Sequence, residues 1–363
     1  MRKIKVIIVF ITLVLLLSVR SFALPSISSV NGTIENGQTI TITGSGFGSS
    51  TGAVPNQYDF FDDASIDTDD WDVSYMTPTT NGQRHARSTR CISGDFNDNW
   101  KVAVDSRVDS NVGYGDKLYV SWWQKCGDSW DWNDAAWNNY KIIRNSERPS
   151  SADEGCEFLL NELGGMKIYN NSGDAGTLVG LGVSLEDIQI VDSWVHHEMV
   201  IKCPSTNNAS TDQEVYWAYD GTVVTCLDGT EGLTWWSKDD SSHGDNVANN
   251  MANIVPKVIG GHYSTGTPVN NSNVYVDDFY VTSSWKRVTI GSNTSGYGNE
   301  VQTVTSWSDT EIQITVYSGA FNDLSGEEIC VFDADNNVAT YTIGSTSTSV
   351  KLSNITATNI TFS

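Results

Sequence analysis

Two stretches near the end of the chain constrain its fold more than any other part. Tyr275–Gly291 (YVDDFYVTSSWKRVTIG) predicts the closing strand of one β domain, followed after Ser-Ser-Trp by the start of another strand. Thr305–Val316 (TSWSDTEIQITV) continues this second domain, whose opening strands lie near residue 25. The order of these segments predicts that one β domain is inserted into another.

Length and composition favour two domains of the all-β class. A chain of 363 residues is longer than one small core needs. Its 13 Trp, 14 Tyr and 31 Gly residues, with few runs of Ala, Leu, Glu or Lys, favour strands and turns over helices. We therefore expect an all-β protein.

The first residues have the pattern of an export signal. A basic start, MRKIK, precedes the apolar run Val6–Leu17, and the triplet Ser21–Ala23 offers a small-x-small cleavage site before Leu24. The alternative is a retained anchor, but the apolar run is shorter than the ~20 residues that a bilayer span needs. The sequence predicts a signal peptide at 1–23 and a secreted, extracellular or cell-surface product without a membrane span.

The charge of the mature chain limits its partners. Removal of the signal peptide takes away four of 21 basic residues and no acidic ones, which leaves 17 basic against 44 acidic residues, or −27. Such a field disfavours nucleic acid as a partner. It also disfavours polyanionic glycans at long range, unless a local basic groove overrides the mean charge.

The cysteines favour disulfide chemistry over metal binding. The chain contains six: Cys91, Cys126, Cys156, Cys203, Cys226 and Cys330. No C-x-x-C pair occurs, so neither a zinc ribbon nor a redox motif is supported. Cys203 and Cys226 flank a predicted hairpin and are the best candidate pair in an exported protein. Cys330 is expected to be a buried, unpaired thiol.

The opening strands resemble a known family of immunoglobulin-like domains. In Ser26–Gly48 the run Thr39–Thr43 alternates with period two, which predicts that Ile40 and Ile42 are buried and the threonines exposed. The pattern of a proline, two strands and a closing G-x-G-F-G resembles the IPT/TIG family. The stretches WSDTEI and VFDAD, from residue 307 onwards, resemble the end of the same family.

Neither half of this resemblance is long enough to form a domain alone. Residues 25–55 contain about two strands and 285–345 about four or five, and together they approach the roughly 100 residues of an immunoglobulin-like sandwich. We therefore predict one split IPT/TIG domain, with 56–284 inserted and a Ser/Thr-rich tail at 346–363. The alternative is two separate small domains around a larger one.

The inserted segment resembles the concanavalin A-like lectin/glucanase superfamily, whose fold is a two-sheet jelly roll. Strand character occurs in Lys117–Lys125, Tyr140–Arg144, Trp194–Lys202 and Glu214–Asp220. The resemblance depends on W-x-H in the third of these runs, a hairpin closing at Tyr-Asp-Gly, and V-D-D in the last strand. It implies a jelly roll and a carbohydrate-related function.

Aromatic residues beside polar ones suggest a sugar site. Strand alternation places Tyr119 and Trp123 on one face with Ser121 and Lys125, a mixture that suits a groove or ordinary packing under a loop. In GDSWDWNDAAWNNY, from residue 127, three rings lie among Asp and Asn: Trp130, Trp132 and Trp137. Such rings stack on sugars while Asp and Asn bind hydroxyls, although buried rings pinning the loop are the alternative.

A calcium ion is predicted from the closing strand. Asp277 and Asp278 project to opposite faces of a regular strand, so at most one enters the interior, where a cation would neutralise it. The superfamily resemblance implies an ion between the first and last strands, with Asp62 and Asp278 as candidate ligands and Asp63 as a substitute. Surface carboxylates without an ion are the alternative.

The evidence for catalysis is weaker than the evidence for binding. His85 and Arg87 in GQRHARSTR could form a basic groove with Lys141 and Arg144, as a uronate lyase needs. The E-x-D-x-x-E motif of retaining glucanases and the Q-I-H triplet of one alginate lyase branch do not occur in the sequence. The main prediction is a secreted, non-catalytic polysaccharide-binding protein, and the alternatives are a polysaccharide lyase and a structural surface-adhesion module.

Overall fold

The all-β class is confirmed by the computed structural model. The structure describes residues 24–67, 71–72, 76–95, 102–106, 115–128, 140–147, 158–162, 166–170, 177–180, 188, 191–202, 214–227, 254–259 and 273–344. The strands are β1 (Ser26–Asn31), β2 (Thr39–Ser45), β3 (Gln57–Asp59), β4 (Trp71–Asp72), β5 (Thr77–Thr79), β6 (Cys91–Asp95), β7 (Val102–Ser106), β8 (Lys117–Cys126), β9 (Tyr140–Glu147), β10 (Phe158–Glu162), β11 (Met166–Asn170), β12 (Thr177–Gly180), β13 (Trp194–Lys202), β14 (Glu214–Tyr219), β15 (Thr222–Leu227), β16 (Ile254–Ile259), β17 (Asn273–Thr282), β18 (Arg287–Gly291), β19 (Glu300–Val301), β20 (Thr303–Trp307), β21 (Glu311–Thr315), β22 (Glu328–Phe332) and β23 (Val338–Thr342).

Strands from both flanks of the chain form two four-stranded sheets, which we call the flank sandwich. Their strand orders are β1-β2-β21-β20 and β19-β18-β22-β23. The pairing of β2 with β21 joins the two flanks directly, with Ile40 opposite Ile314 and Ile42 opposite Ile312. As the alternation predicted, Ile40 and Ile42 are buried while the threonines between them are exposed or partly so.

The core of the flank sandwich also contains residues from both flanks of the chain. Phe47 packs edge-to-face on Trp307, whose indole N–H donates to the Phe47 carbonyl over 3.1 Å. Gly44 allows this packing, because a Cβ there would lie 2.4 Å from the Phe47 ring and 1.9 Å from the Ser26 carbonyl oxygen. Cys330 is a buried free thiol, as predicted.

The residues between the flanks form an eight-stranded and a seven-stranded sheet, which we call the central sandwich. The eight-stranded order is β15-β14-β13-β8-β17-β6-β5, with β3 also paired to β17, and the seven-stranded order is β12-β11-β10-β9-β16-β7-β4. The β3–β17 pair brings the entry and the exit of this segment together. Asn56 N–H donates to the Val281 carbonyl, and Ser283 N–H donates to Asn56 Oδ1.

Turn chemistry explains the hairpin between β14 and β15. Asp220 and Gly221 both have positive φ, at 43° and 79°, which is the conformation of a two-residue type I′ turn. The Asp-Gly pair supplies it at low cost, as the sequence indicated. The candidate disulfide lies outside what the structure describes, because Cys203 and the Cys226 side chain are not among the described positions.

The predicted boundaries at residues 55, 284 and 345 stay predictions, as does the signal peptide, which lies outside the described residues. Among the residues that the structure describes, no helix is both long and apolar enough to cross a membrane.

Candidate functional site

The eight-stranded sheet is buried on both faces along its central strands. In β8 and β13, interior residues of both parities are buried, so the sheet is covered from two sides. On one face, His197 stacks between Trp122 and Trp217, with ring centroids 5.0 and 5.9 Å apart. Burial lowers the pKa of His197 to about 3, so it is a neutral packing residue.

The other face of this sheet packs against the flank sandwich. Tyr119 and Tyr280 lie in one buried cluster with Trp285 and Phe332 of the opposite unit. The guanidinium of Arg287 lies over the rings of Tyr119, at 4.5 Å, and Phe332, at 3.4 Å. The flank sandwich occupies this face, so Tyr119, which the sequence assigns either to a groove or to ordinary packing, lies in a contact between the two sandwiches.

Trp123 lies at the same contact. His196 stacks on it from the neighbouring strand, with centroids 4.7 Å apart, and the Arg84 guanidinium lies 4.3 Å above its ring. The partly buried ring is thus covered by a cation of its own chain. This arrangement explains the mixed aromatic and polar character of the strand face without a sugar.

Arg84 is the centre of the polar contact between the sandwiches. Its Nη1 and Nη2 donate to the two carboxylate oxygens of Glu300 in β19, each over 2.8 Å, and its Nε donates to Asp278 Oδ2 over 2.6 Å. Burial alone would lower the pKa of Arg84, but Asp278 and Glu300 raise it well above the usual value. The result is a buried cation between two carboxylates from different sandwiches.

Tyr317 extends this network to the predicted lyase residue His85. The Tyr317 hydroxyl lies 2.8 Å from His85 Nε2 and donates to Asp278 Oδ1 over 2.8 Å, and Phe60 stacks on its ring at 4.2 Å. Burial, followed by the charge of Arg84, lowers the pKa of His85 to about 4. His85 is therefore neutral at pH 7 and is held inside the contact.

Arg87 is held at the same contact. Its Nη1 donates to the carbonyls of Gly319 and Phe321 in the flank sandwich. The structure thus places His85 and Arg87 close together beside the eight-stranded sheet. Lys141 and Arg144 lie on β9 of the seven-stranded sheet, so the four predicted lyase residues are divided between the two sheets.

The strand carrying the two adjacent aspartates is irregular, so the expectation that at most one enters the interior is wrong. The pairing of β17 with β8 shifts between Asp277 and Tyr280, and Asp278 has φ of +50°. This bulge lets both side chains be buried. Burial raises the pKa of Asp278 to about 6, although the charge of Arg84 acts in the opposite direction. Burial and the charge of Asp278 both raise the pKa of Asp277.

The predicted calcium ligands Asp62 and Asp278 both have partners within the protein in this structure. Asp278 is already paired with Arg84, a cation that would repel calcium. Asp62 Oδ1 accepts hydrogen bonds from the backbone N–H groups of Thr89, at 2.6 Å, and Arg90, at 3.3 Å. Among the described residues no group of three His, Cys, Asp or Glu side chains is placed to hold a metal. Calcium at these positions stays a prediction.

A buried serine and histidine lie beneath the same contact. Ser121 Oγ is 2.7 Å from His196 Nε2, and the other ring nitrogen is 3.8 Å from Glu198 Oε2. Tyr119 Oη and the Gly298 N–H donate to Glu198. The adjoining cavity measures about 10 Å³, the lower limit for one water molecule. In this arrangement the cavity is too small for a sugar ring.

The strand register of the seven-stranded sheet defines which positions share a face. Directly opposite residues of antiparallel strands lie on the same face, and positions alternate along each strand. One row runs across six strands through Val104, Val258, Ile143, Leu160, Ile168 and Val179. We call the face that carries this row the apolar face, although the positions Asn145, Glu162 and Asn170 share it.

The next row, on the opposite face, is chemically different. It runs through Asp72, Asp105, Lys257, Arg144, Leu159, Tyr169 and Leu178. A second row on that face contains Lys141, Asn161, Lys167 and Gly180. We call the face that carries these two rows the polar face.

A bulge in β9 brings two of the predicted residues onto the same face. Plain alternation would put Lys141 and Arg144 on opposite faces of the strand. However, the register shifts opposite Leu160 and Asn161, so that Lys141 pairs with Asn161 and Arg144 with Leu159. Sequence reasoning missed Lys167, Tyr169 and Lys257 on this face, although single lysines within apolar strands, as in MKIYN and IVPKVI, were a usable signal.

Trp130, Trp132 and Trp137 lie outside the described residues. Their segment connects the end of β8 to the start of β9, the middle strand of the seven-stranded sheet.

Comparison with known proteins identifies one domain family. Residues 25–73 match the model of the IPT/TIG domain. This match begins at the predicted start but extends past residue 55, through β3 and β4 of the central sandwich. No curated protein sequence matches the chain.

The solved structures to which the chain is similar include two alginate lyases and a glucanase. Alginate lyase vAL-1 from Chlorella virus is 13% identical, with a TM-score of 0.40, and the match covers 59% of this chain and 90% of that one. The endo-1,3-beta-glucanase from Streptomyces sioyaensis is 15% identical, with a TM-score of 0.37 and coverage of 62% and 94%. The PL-14 alginate lyase from Aplysia kurodai is 11% identical, with a TM-score of 0.37 and coverage of 58% and 87%.

Proposed function

We propose that this is an exported polysaccharide-binding protein whose glycan lies on the polar face of the seven-stranded sheet. The observation that supports the proposal is the register, which places four basic positions on one face of the sheet together with one amide and one aromatic position: Lys141, Arg144, Lys167, Lys257, Asn161 and Tyr169. An antiparallel sheet commonly packs on a core with one face and meets solvent with the other.

The eight-stranded sheet is a poorer candidate for the binding surface. Its central strands are buried on both sides, and the contacts of Tyr119, Trp123 and Arg84 already fill the face towards the flank sandwich. A polysaccharide needs a surface several sugars long. The seven-stranded sheet is the better source of such a surface.

The tryptophan-rich segment supports a sugar as the ligand. Residues 127–139 lead into β9, the middle strand of the sheet, and contain Trp130, Trp132 and Trp137 among Asp and Asn. Loops that enter a rigid sheet commonly carry binding residues. Aromatic rings next to hydrogen-bonding side chains suit pyranose rings, which have apolar faces and hydroxyl edges.

We also infer that the IPT/TIG domain is split by the central sandwich. Support comes from the pairing of β2 with β21, which joins residues before the insert to residues after it. The adjacent entry and exit at Asn56 and Ser283 favour insertion without strain. The flank sandwich then acts as the platform on which the glycan-binding unit is fixed.

The direct test is a binding screen of the full mature chain on an array of neutral and acidic polysaccharides. Binding without new product supports the proposal. Absence of binding to every polysaccharide contradicts it and favours a structural adhesion module.

The second candidate function is a polysaccharide lyase, favoured by Tyr169 on the same face as Lys141 and Arg144. A lyase needs cations that neutralise a sugar carboxylate and a base that removes the adjacent proton, and tyrosine can act as that base. Release of unsaturated uronate ends, measured by ultraviolet absorbance, would establish this activity. Loss of product in Tyr169→Phe with retained binding would assign the base.

A further inference from the structure

We infer that a second and shorter sugar-binding surface lies at one end of the eight-stranded sheet, where Trp194, Lys125 and Tyr275 lie side by side, and that it takes a neutral sugar. We call these three residues the aromatic strip. The inference rests on the proposed function, because the ligand is again a glycan. It adds a site on the other sheet and the chemical class of the ligand of that site.

Strand register places the three side chains on one face. Trp194 of β13 is directly opposite Lys125 of β8, and Lys125 is directly opposite Tyr275 of β17. The row continues through Ser93 of β6 and Thr77 of β5. It therefore presents two aromatic rings, an ammonium group and two hydroxyl groups across five neighbouring strands. A pyranose, which has apolar faces and hydroxyl edges, suits such a mixture of rings and hydrogen-bonding groups.

The exposure of this row distinguishes it from other rows of the same face. Tyr119 and Tyr280, which pack in the contact with the flank sandwich, are 0% and 4% exposed. Trp194 and Tyr275 are both partly exposed, and Thr77 is exposed. The aromatic strip is therefore the part of this face that solvent reaches.

The loop between β5 and β6 fixes the orientation of the two rings. The indole N–H of Trp194 donates to the Gly82 carbonyl over 3.1 Å. Gly82 has a φ of +81°, and a Cβ at this position would lie 3.0 Å from the Tyr275 ring and 3.2 Å from Lys125 Nζ. Glycine thus allows the loop to approach both side chains closely. Rings that are held in place before a ligand arrives lower the entropy cost of binding.

Charge balance favours a neutral sugar over an acidic one. Lys125 Nζ lies 3.1 Å from Asp192 Oδ1, so the ammonium is already paired with a carboxylate. It also lies 4.8 Å from the ring centroid of Tyr275 and 5.8 Å from that of Trp194. The exposed side-chain fraction is 62% for Asp192 and 11% for Lys125, so the group nearer to solvent is the negative one. This carboxylate would repel an anionic sugar, whereas the hydroxyl groups of a neutral sugar can donate to it.

The dimensions of the aromatic strip suit a short stretch of glycan. Trp194 and Tyr275 lie on the two neighbours of β8, so their positions are about 10 Å apart across the sheet. Next to Lys125 on the same face, Trp123 is covered by the Arg84 guanidinium, which lies 4.3 Å above its ring. A sugar chain can therefore lie across the strands, along the row, but cannot continue along β8 towards the flank sandwich. The aromatic strip thus supplements the polar face of the seven-stranded sheet.

The test measures binding of the full mature chain to two neutral polysaccharides, laminarin and galactomannan, and to the anionic polysaccharide alginate. Trp194→Ala and Tyr275→Ala should each weaken binding to the preferred neutral polymer by about five- to tenfold, the effect of losing one ring contact. Tyr58→Ala is the matched control, because Tyr58 is a 47% exposed tyrosine on β3 of the same sheet but outside the row. Its affinity should equal that of the wild type.

Asp192→Asn tests the charge argument. The amide still binds hydroxyl groups, but the charge that balances Lys125 is removed, so the ratio of neutral-polymer to alginate affinity should fall by about threefold. Circular dichroism melting on each variant separates loss of binding from loss of fold. If Trp194→Ala does not fold because the bond to Gly82 is lost, Tyr275→Ala carries the test.

The outcomes separate this inference from the proposed function. Unchanged binding in the folded ring variants, equal loss in Tyr58→Ala, or binding of the wild type to neither neutral polymer would overturn the aromatic strip while leaving the polar face as the glycan site. An unchanged affinity ratio in Asp192→Asn would overturn the neutral assignment. Failure of the wild-type protein to bind these three polymers and every polysaccharide of the array would overturn the proposed function itself.

Discussion

The Arg84 guanidinium binds both carboxylate oxygens of Glu300, with two N–O distances of 2.8 Å, and so joins a loop of the central sandwich to β19 of the flank sandwich. The pair is almost fully buried, with exposed side-chain fractions of 2% and 5%. Bidentate geometry and burial make this contact different from a surface ion pair. This buried ion pair therefore connects the two sandwiches within an otherwise apolar contact.

The first prediction concerns the ion pair of Arg84 with Glu300. Arg84→Ala should lower the free energy of unfolding by about 3–5 kcal/mol, because two buried carboxylates lose their cation. The measurement is chemical denaturation followed by tryptophan fluorescence. Lys202→Ala breaks a partly exposed pair with Glu214 and should cost about 1 kcal/mol or less. Similar losses in the two variants would show that the buried pair contributes no more than a surface one.

The second prediction concerns pH and Asp278. Burial raises its pKa to about 6 in the folded state, above the ordinary value of 3.8, so the folded state binds this proton more tightly than the unfolded state. Its contribution to stability is therefore full below about pH 4 and is lost as pH rises through about 6. When the pH is lowered from 7 to 4.5, the free energy of unfolding of the wild type should rise by roughly 1–3 kcal/mol relative to that of Asp278→Asn.

His85 supplies a control of opposite sign. Its pKa is lowered to about 4, so its contribution is present above the ordinary value of 6.5 and is lost as pH falls through 4. The stability difference between wild type and His85→Gln should therefore shrink over the range in which the Asp278→Asn difference grows. Parallel curves for the two variants would contradict both assignments.

The third prediction concerns the split domain. A chain in which residues 56–284 are replaced by a short linker should fold, because the core around Ile42, Phe47, Val288 and Trp307 is retained. It should unfold cooperatively in calorimetry, although it exposes Trp285 and Phe332, which the central sandwich normally covers. An unfolded product would count against the split arrangement. A variant that also carries Phe332→Ser controls for aggregation through the exposed face.

Local sequence patterns predicted much of the fold, but they did not predict the contact between the sandwiches. The alternation of Thr39–Thr43 and the Asp-Gly turn at Asp220 depend on nearby residues, and both are present in the structure. The bulge at Asp278 depends on partners far away in the chain, Arg84 and Tyr317, which local periodicity does not contain. For the same reason the polar run around His85 suggested a basic groove, whereas Arg84 is paired with Asp278 and Glu300 and Arg87 binds carbonyl groups of the flank sandwich.

The residues of the candidate site likewise share a face only because of strand register, which pairs distant parts of the chain. Alternation along β9 separates Lys141 from Arg144, and only the bulge opposite β10 unites them. Lys257 and Tyr169 join them through pairing between strands that are distant in sequence. No periodicity within one segment carries this information, so the polar face could be identified only after the strand order was known.

The last prediction concerns the tryptophan-rich segment before β9. If Trp130, Trp132 and Trp137 stack on sugar, each Ala variant should weaken polysaccharide binding by about 1–3 kcal/mol and leave the melting curve nearly unchanged. If they pin the loop to its own domain, the same changes should cost about 3–5 kcal/mol of stability.

Trp285 is the matched control, because it is buried and its indole N–H donates to the Ile201 carbonyl over 3.2 Å. Trp285→Ala should lower stability by the amount expected of a core ring without changing the affinity of the folded fraction. Affinity and melting are measured on the same preparations, so each ring is assigned by the pair of values. A triple variant that stays folded and binds normally would exclude the segment from the glycan site and leave recognition to the polar face alone.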